Sequence, residues 1–183
     1  MVMKKYLNTR LLAFTAVAAA LAFILQMLGS IVGLKVGGFL EIELSDLPPL
    51  IVAFAYGPLA GVVTELIKNL LHCGFTSTGF VGELANFIVN GIFVFCAGII
   101  YKNNRTRKGA LIGMTVGIFA ATVAGIATNL SILLPLYMPA ADFNTKLSLV
   151  LKLITPFNLC KGIVISLLTY VLYKRLSPLL KKN

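Results

Sequence analysis

Charge is what this sequence has least of. Only 12% of its 183 residues are Asp, Glu, Lys or Arg, and only six are acidic. Soluble domains carry roughly 25% charged residues. With 58% apolar residues and a mean hydropathy of +0.94, the chain is too apolar for a soluble globule. Disorder is excluded by the same numbers, because it requires low hydrophobicity and abundant charge. Histidine occurs once, as His72, and the three cysteines (Cys73, Cys96, Cys160) form no C-x-x-C or other metal-ligand spacing. No metal centre or disulfide framework is expected, and the cysteines read as small apolar packing residues. The motifs G-x-x-x-x-G-K-[S/T], G-x-S-x-G and H-E-x-x-H are absent, which removes P-loop hydrolysis and the hydrolases those motifs mark. His72 has no partner in sequence for triad or metal work and reads as a solvated residue at a loop edge. Neither an enzymatic activity nor a cofactor is expected.

What is present is apolar sequence in long runs. Stretches near or above about 18 residues recur along the whole chain, the length of a membrane-spanning helix. They are unbroken, where a barrel would alternate over segments of about 10 residues. An all-α membrane protein is expected, one bundle forming a single domain over residues 1–183. The first run, Leu11–Leu28, is too long for a secretory signal core and reads as a retained helix. A loop, Gly29–Asp46, holds Glu41, Glu43 and Asp46. Leu47–Leu71 is interrupted by Tyr56-Gly57-Pro58, and His72–Gly79 is a short connection. Phe80–Tyr101, Ala110–Leu134 and Leu147–Tyr173 complete the spans, separated by Lys102–Lys108 and Met138–Lys146.

The placement of positive charge decides the helix count. The net charge is +10, but the cations cluster at span ends, which marks a cytoplasmic face rather than a nucleic-acid surface. The clusters are Lys4, Lys5 and Arg10; Lys102, Arg105, Arg107 and Lys108; and Lys174, Arg175, Lys181 and Lys182. A single helix over Leu47–Leu71 would put the middle cluster outside. A turn at Gly57-Pro58 makes two short helices and brings all three clusters to one side. The sequence therefore predicts six transmembrane helical segments, helices 2 and 3 short, with both termini cytoplasmic. At 1.5 Å per residue each short helix covers roughly 16–22 Å, less than the ~30 Å hydrocarbon core. Interrupted segments of this kind are tolerated where they line an enclosed cavity, which points to a binding site.

Polar residues inside spans are costly unless they face the bundle interior or water. Thr155, Asn158 and Lys161 share one face of the last span, and Lys161 is too deep to snorkel. It either grips a ligand or pairs with an acid such as Glu65 or Glu83. Asn129 either contacts a ligand or bridges helices. Glu65, Lys68 and Asn69 are spaced for mutual pairing, and Glu83, Asn86 and Asn90 form a second stripe. Asparagines offer donor and acceptor together, as a flat neutral heterocycle requires. Small residues form ridges: Ala16-x-x-x-Ala20 and Ala18-x-x-x-Ala22 in the first span, and Gly109, Gly113 and Gly117 in the fifth. Such ridges admit close helix approach, inside the bundle or against another subunit.

Several strings resemble the riboflavin-specific S component of energy-coupling factor (ECF) vitamin transporters. They are Glu41-Ile-Glu-Leu-Ser-Asp-Leu-Pro-Pro49, Tyr56-Gly-Pro-Leu-Ala-Gly61, Ile67-Lys-Asn-Leu-Leu71, Leu133-Leu-Pro-Leu-Tyr137 and Pro156-Phe-Asn-Leu-Cys-Lys-Gly-Ile-Val-Ile-Ser166. The similarity covers essentially the whole chain. It implies six helices around one vitamin near the outer face, in the cell membrane. Asn129, Asn158 and Lys161 would hydrogen-bond the polar edge of the ring. Asn86 is a further candidate from the residues themselves. Leu40, Glu41 and Leu44, in the loop between helices 1 and 2, would cover the ligand. Ala16 and Ala20 would dock on a transmembrane T subunit, itself coupled to two ATPase subunits. Two departures are Glu41-Ile42-Glu43, more acidic than the family pattern, and Glu83, where a neutral residue is expected. Extra acid at the mouth disfavours a phosphorylated ligand such as FMN. The competing readings are an S component for FMN or another vitamin, a stand-alone secondary transporter, and a structural membrane scaffold.

Overall fold

A computed structural model describes residues 9–32, 35–36, 40–41, 43–76 and 80–181, with the side chains of 32, 35–36, 41 and 173–181 excepted. Among the described residues there are six helices. These are α1 (Thr9–Val32), α2 (Leu47–Tyr56), α3 (Pro58–His72), α4 (Val81–Asn103), α5 (Arg107–Tyr137) and α6 (residues 143–181). The helix expected from Leu11 to Leu28 runs one turn further into the loop. A two-stranded ribbon follows it: β1 (Lys35–Val36) pairs antiparallel with β2 (Leu40–Glu41), Lys35 opposite Glu41. Thr106 caps α5 by accepting from the Gly109 N–H at 3.0 Å. Asp142 caps α6 by accepting from the Asn144 and Thr145 N–H groups. The Thr145 hydroxyl is the largest of the contacts that hold the exposed Asp142 carboxyl below its usual pKa.

Four helices are long and apolar enough to cross a membrane: Thr9–Ile31, Val81–Asn103, Arg107–Tyr137 and Phe143–Leu172. The other two are the short pair, of 10 and 15 residues, joined at Gly57 as the charge pattern requires. Gly57 has φ +104°, a conformation that side chains other than glycine rarely adopt. Pro48, Pro49, Leu50, Val52, Ala53, Phe54 and Ala55 of α2 are all buried, so α2 is the axis of the bundle. Leu50, Ala53 and Phe54 pack with Phe93, Val94, Ala97 and Tyr101 of α4, Ala110 and Met114 of α5, and Ile165 of α6. The Phe54 and Tyr101 rings lie 4.5 Å apart, centroid to centroid. Lipid tails are as apolar as these side chains, so close packing rather than water exclusion holds such contacts.

Both polar ends of the long helices show how proline is accommodated. α5 contains a wide π turn at Asn129–Leu133 and α6 another at Val150–Ile154. Each ends two residues before a proline, Pro135 and Pro156. A proline ring clashes with the carbonyl four residues back and cannot donate to it; a wider turn moves that carbonyl aside. This is why α5 continues to Tyr137 instead of stopping at the predicted break before Pro135. Single π turns of this kind concentrate at functional sites.

The two ridges of small residues separate on inspection. Ala18, Ala19 and Ala22 face the interior, whereas Ala16 and Ala20 are exposed. The glycine ridge of α5 is internal: a Cβ on Gly113 would stand 2.7 Å from the Ala97 carbonyl oxygen, and one on Gly117 2.8 Å from that of Phe93. Backbone cannot yield as a side-chain tip can. Gly113→Ala is therefore expected to cost about 1–3 kcal/mol and lower the thermal midpoint in detergent by roughly 2–10 °C. Gly91→Ala, whose Cβ would meet only the Phe87 ring at 3.6 Å, serves as the tolerated control in the same melt.

Candidate functional site

A cavity of about 260 Å³ opens at the end of the bundle opposite the basic loop, between α1, α3, α4, α5, α6 and the residues Leu40 and Glu43. Its wall contains Leu40, Asn86, Asn129, Asn158 and Lys161, drawn from four separate parts of the chain. Leu44 is 39% exposed and is not part of the wall, and the Glu41 side chain lies outside the described residues. Asn90, on the same stripe as Asn86, lines the cavity as well, and so do Gln26, Glu43, His72 and Glu83, which the spacing arguments placed elsewhere or left unassigned. Phe157, Leu133, Ile154, Val89 and Met27 supply apolar surface between the polar groups. Apolar walls with a few convergent polar groups are the usual make-up of a small-molecule site.

Lys161 is at the floor, and its partners differ from those expected. Its Nζ donates to Glu43 Oε1 at 3.1 Å and to Asp46 Oδ2 at 2.9 Å. Glu65 and Glu83, the predicted partners, are engaged otherwise. Glu65 pairs with Lys68 one turn along α3, and Lys68 donates to Asp46 Oδ1 at 2.7 Å and to Ser45 Oγ at 3.0 Å. Asp46 therefore joins two lysines through its two oxygens. Sequence spacing could not show this, because Glu43 and Asp46 reach Lys161 across more than 110 positions. The Asp46 carboxylate stands immediately before α2, so α2 begins inside the bundle rather than at its surface. Irregular backbone at that depth is stable only when enclosed by protein.

His72 is the second correction. It is buried, not solvated, and its Nδ1 lies 2.9 Å from Glu83 Oε1 on the cavity wall. Four of the six acids of the chain (Glu43, Asp46, Glu65, Glu83) are buried. Among the described residues Lys68 is buried against them and Lys161, its side chain 13% exposed, reaches two of them, so the acids outnumber these lysines. Among the described residues no group of His, Cys, Asp and Glu is arranged to hold a metal ion.

The asparagines carry complementary hydrogen-bonding capacity. Asn86 Nδ2 donates to Glu43 Oε1 at 3.2 Å, and Asn90 Nδ2 donates to Asn86 Oδ1 at 3.1 Å. Asn129 Nδ2 donates to the Gly125 carbonyl at 2.8 Å, while its Oδ1 is buried without a partner. Asn158 packs against Gly125, where a Cβ would stand 2.9 Å from its Nδ2. The buried oxygens Gln26 Oε1 and Glu43 Oε2 likewise have no partner. Buried polar atoms are rarely left unpaired, and such exceptions gather at functional sites.

Lys68 holds the ion network without lining the cavity, so its removal tests structure apart from binding. Lys68→Met leaves Asp46 short of one cation and Glu65 with none. It is expected to destabilise by about 3–5 kcal/mol, read as a large fall in thermal midpoint and in the monodisperse fraction on gel filtration.

Residues 10–173 match the family model described as ECF transporter, substrate-specific component. The chain is 37% identical over 148 residues to the riboflavin transporter RibU of Staphylococcus aureus (strain TCH60), covering 79% of this chain and 78% of that protein. It is 30% identical over 186 residues to the riboflavin transporter FmnP of Bacillus subtilis (strain 168), covering 97% of each. A solved structure of the S component of a bacterial ECF transporter superposes with a TM-score of 0.80 at 33% identity, over 94% of this chain and 98% of that one. The chain, a bundle of four apolar spans and a short helix pair around a polar-lined cavity, thus belongs to the membrane-embedded family of ECF transporter substrate-specific components.

Proposed function

We propose that this chain is the riboflavin-capturing S subunit of an ATP-dependent vitamin importer. The observation that carries the reading is the convergence of Asn129, Asn158 and Lys161 on one cavity of about 260 Å³, in a chain whose relatives are riboflavin transporters. Two amides and an ammonium suit the alternating carbonyl and nitrogen edge of an isoalloxazine ring, and the apolar wall suits its faces. Leu40 and Asn86 contribute to the cavity rim and side, while Leu44 and Glu41 belong to the covering segment. The buried carboxylates of Glu43 and Glu83 favour the uncharged vitamin over FMN, because a phosphate would meet like charge in a poorly screened site.

Orientation follows from charge. The basic loop around Arg105 and the cavity occupy opposite ends of the bundle, so cytoplasmic basic clusters put the cavity mouth outside. Both termini are then cytoplasmic in a multi-pass plasma-membrane protein. The chain has no ATP-hydrolysing motif, so the energy comes from elsewhere: two ATPase subunits acting through a transmembrane T subunit. The exposed Ala16 and Ala20 form a smooth strip on α1 where a partner helix can approach closely. Binding without catalysis is the whole task of this subunit.

Riboflavin titrated into purified, ligand-free protein should quench flavin fluorescence saturably, and FMN should bind at least tenfold more weakly. Asn129→Ala and Lys161→Ala each remove polar contacts of the kind that contribute about 1.5–3 kcal/mol, so each should weaken riboflavin by roughly ten- to hundredfold. Asn129→Ala should do so with little change in the melting point of the ligand-free protein. Absence of flavin binding by the unaltered protein rejects the assignment, and uptake persisting in cells without the ATPase and T subunits rejects the division of labour.

A further inference from the structure

Among the described residues Glu43 is the one carboxylate that both lines the cavity and touches Lys161. Its side chain is 3% exposed. Oε1 accepts two hydrogen bonds, from Lys161 at 3.1 Å and from Asn86 Nδ2 at 3.2 Å. Oε2 is buried and accepts none. A carboxylate turns easily about its terminal torsion, so either oxygen can be presented to the cavity.

The donors on either side are also only partly used. An ammonium has three protons, and those of Lys161 serve Glu43 and Asp46, which leaves one over. The Asn86 amide has two N–H bonds and gives one to Glu43. The wall thus presents an acceptor, Glu43, between two donors, Lys161 and Asn86. A row of donor, acceptor and donor is the complement of an edge that runs carbonyl, N–H, carbonyl. An ionised carboxylate can only accept, so the middle position of the ligand edge must carry a hydrogen.

We infer that Glu43 is a specificity-determining residue of the binding site, its carboxylate accepting a hydrogen bond from a ring imide N–H flanked by two carbonyls. The inference rests on the riboflavin reading and names the residue that tells an imide from an alkylated or hydrogen-free ring. No charge is created or destroyed, because the ligand proton remains on nitrogen. An anionic ring, deprotonated at that nitrogen, is rejected by the same group.

The test is a cycle between one hydrogen on the ligand and one carboxylate on the protein. Riboflavin and 3-methylriboflavin, which lacks only the imide hydrogen, are titrated into unaltered protein and into Glu43→Ala. The unaltered protein should bind riboflavin about tenfold or more tighter than the methylated ring. Glu43→Ala should bind the two within about threefold, because the truncation removes the acceptor and leaves space for the methyl group. A structural role alone would weaken both ligands equally and preserve their ratio. Equal binding of the two ligands by unaltered protein overturns the inference and leaves the riboflavin assignment standing, as does a ratio that survives in Glu43→Ala. The first comparison needs no variant, so a poorly folding Glu43→Ala still leaves the inference open to refutation. Failure of unaltered protein to bind either flavin overturns both readings.

Discussion

The ammonium of Lys161 has to be paired, and the upper half of the bundle is arranged around that requirement. A lone charge at this depth costs several kcal/mol even after relaxation. Glu43 and Asp46 meet it from the segment before α2, and Asp46 passes the connection on to Lys68 of α3. The last helix, the entering segment and the third helix are thereby tied at one point. Because that point is interior, α2 has to start there, and ten residues are then enough to carry it to the turn at Gly57. The short pair of helices is a consequence of where the charges are buried.

The same pairing sets the floor of the cavity. Above Lys161, the walls are kept apart by two π turns and the prolines behind them, and Asn129 opens the first of these turns. Below it, the glycines of α5 let the α4 backbone come close enough to leave no comparable space. The cavity lies beside the two π turns, and the close helix contacts lie where Gly113 and Gly117 of α5 meet the α4 backbone.

Much of this was legible in the chain alone, and the reasons are uneven. Helix number came from counting where Lys and Arg fall, a constraint that each span inverts, so one misplaced span would have disturbed every later loop. Asn129, Asn158 and Lys161 stood out because polar side chains in apolar runs are expensive. The same reasoning failed for His72, which borders a loop in sequence yet is buried against Glu83. It also chose the wrong acids for Lys161. Helical spacing relates residues within one element; Glu43 and Asp46 lie in a connection without periodicity, and only tertiary folding brings them to α6. Gln26 was hidden because a single glutamine near the end of an apolar helix looks like its polar boundary. The π turns had a visible signal in Leu134-Pro135 and Thr155-Pro156, but proline in a helical run marks a break as readily as a widened turn.

Substrate capture and loop position are linked through the same few atoms. Lys161 and Glu43 hold the segment 43–46 in place before any ligand arrives, and each retains unused hydrogen-bonding capacity: one ammonium proton and one carboxylate oxygen. A ligand that takes up that capacity adds bonds to the network instead of replacing them. It therefore stabilises the arrangement in which the segment is seated, by an amount set by its own affinity and concentration. A ligand that displaced Glu43 from Lys161 would have the reverse effect, releasing the start of α2 from α6. Retention of the Glu43–Lys161 contact in the occupied state thus separates a site that closes over its cargo from one that loosens on filling.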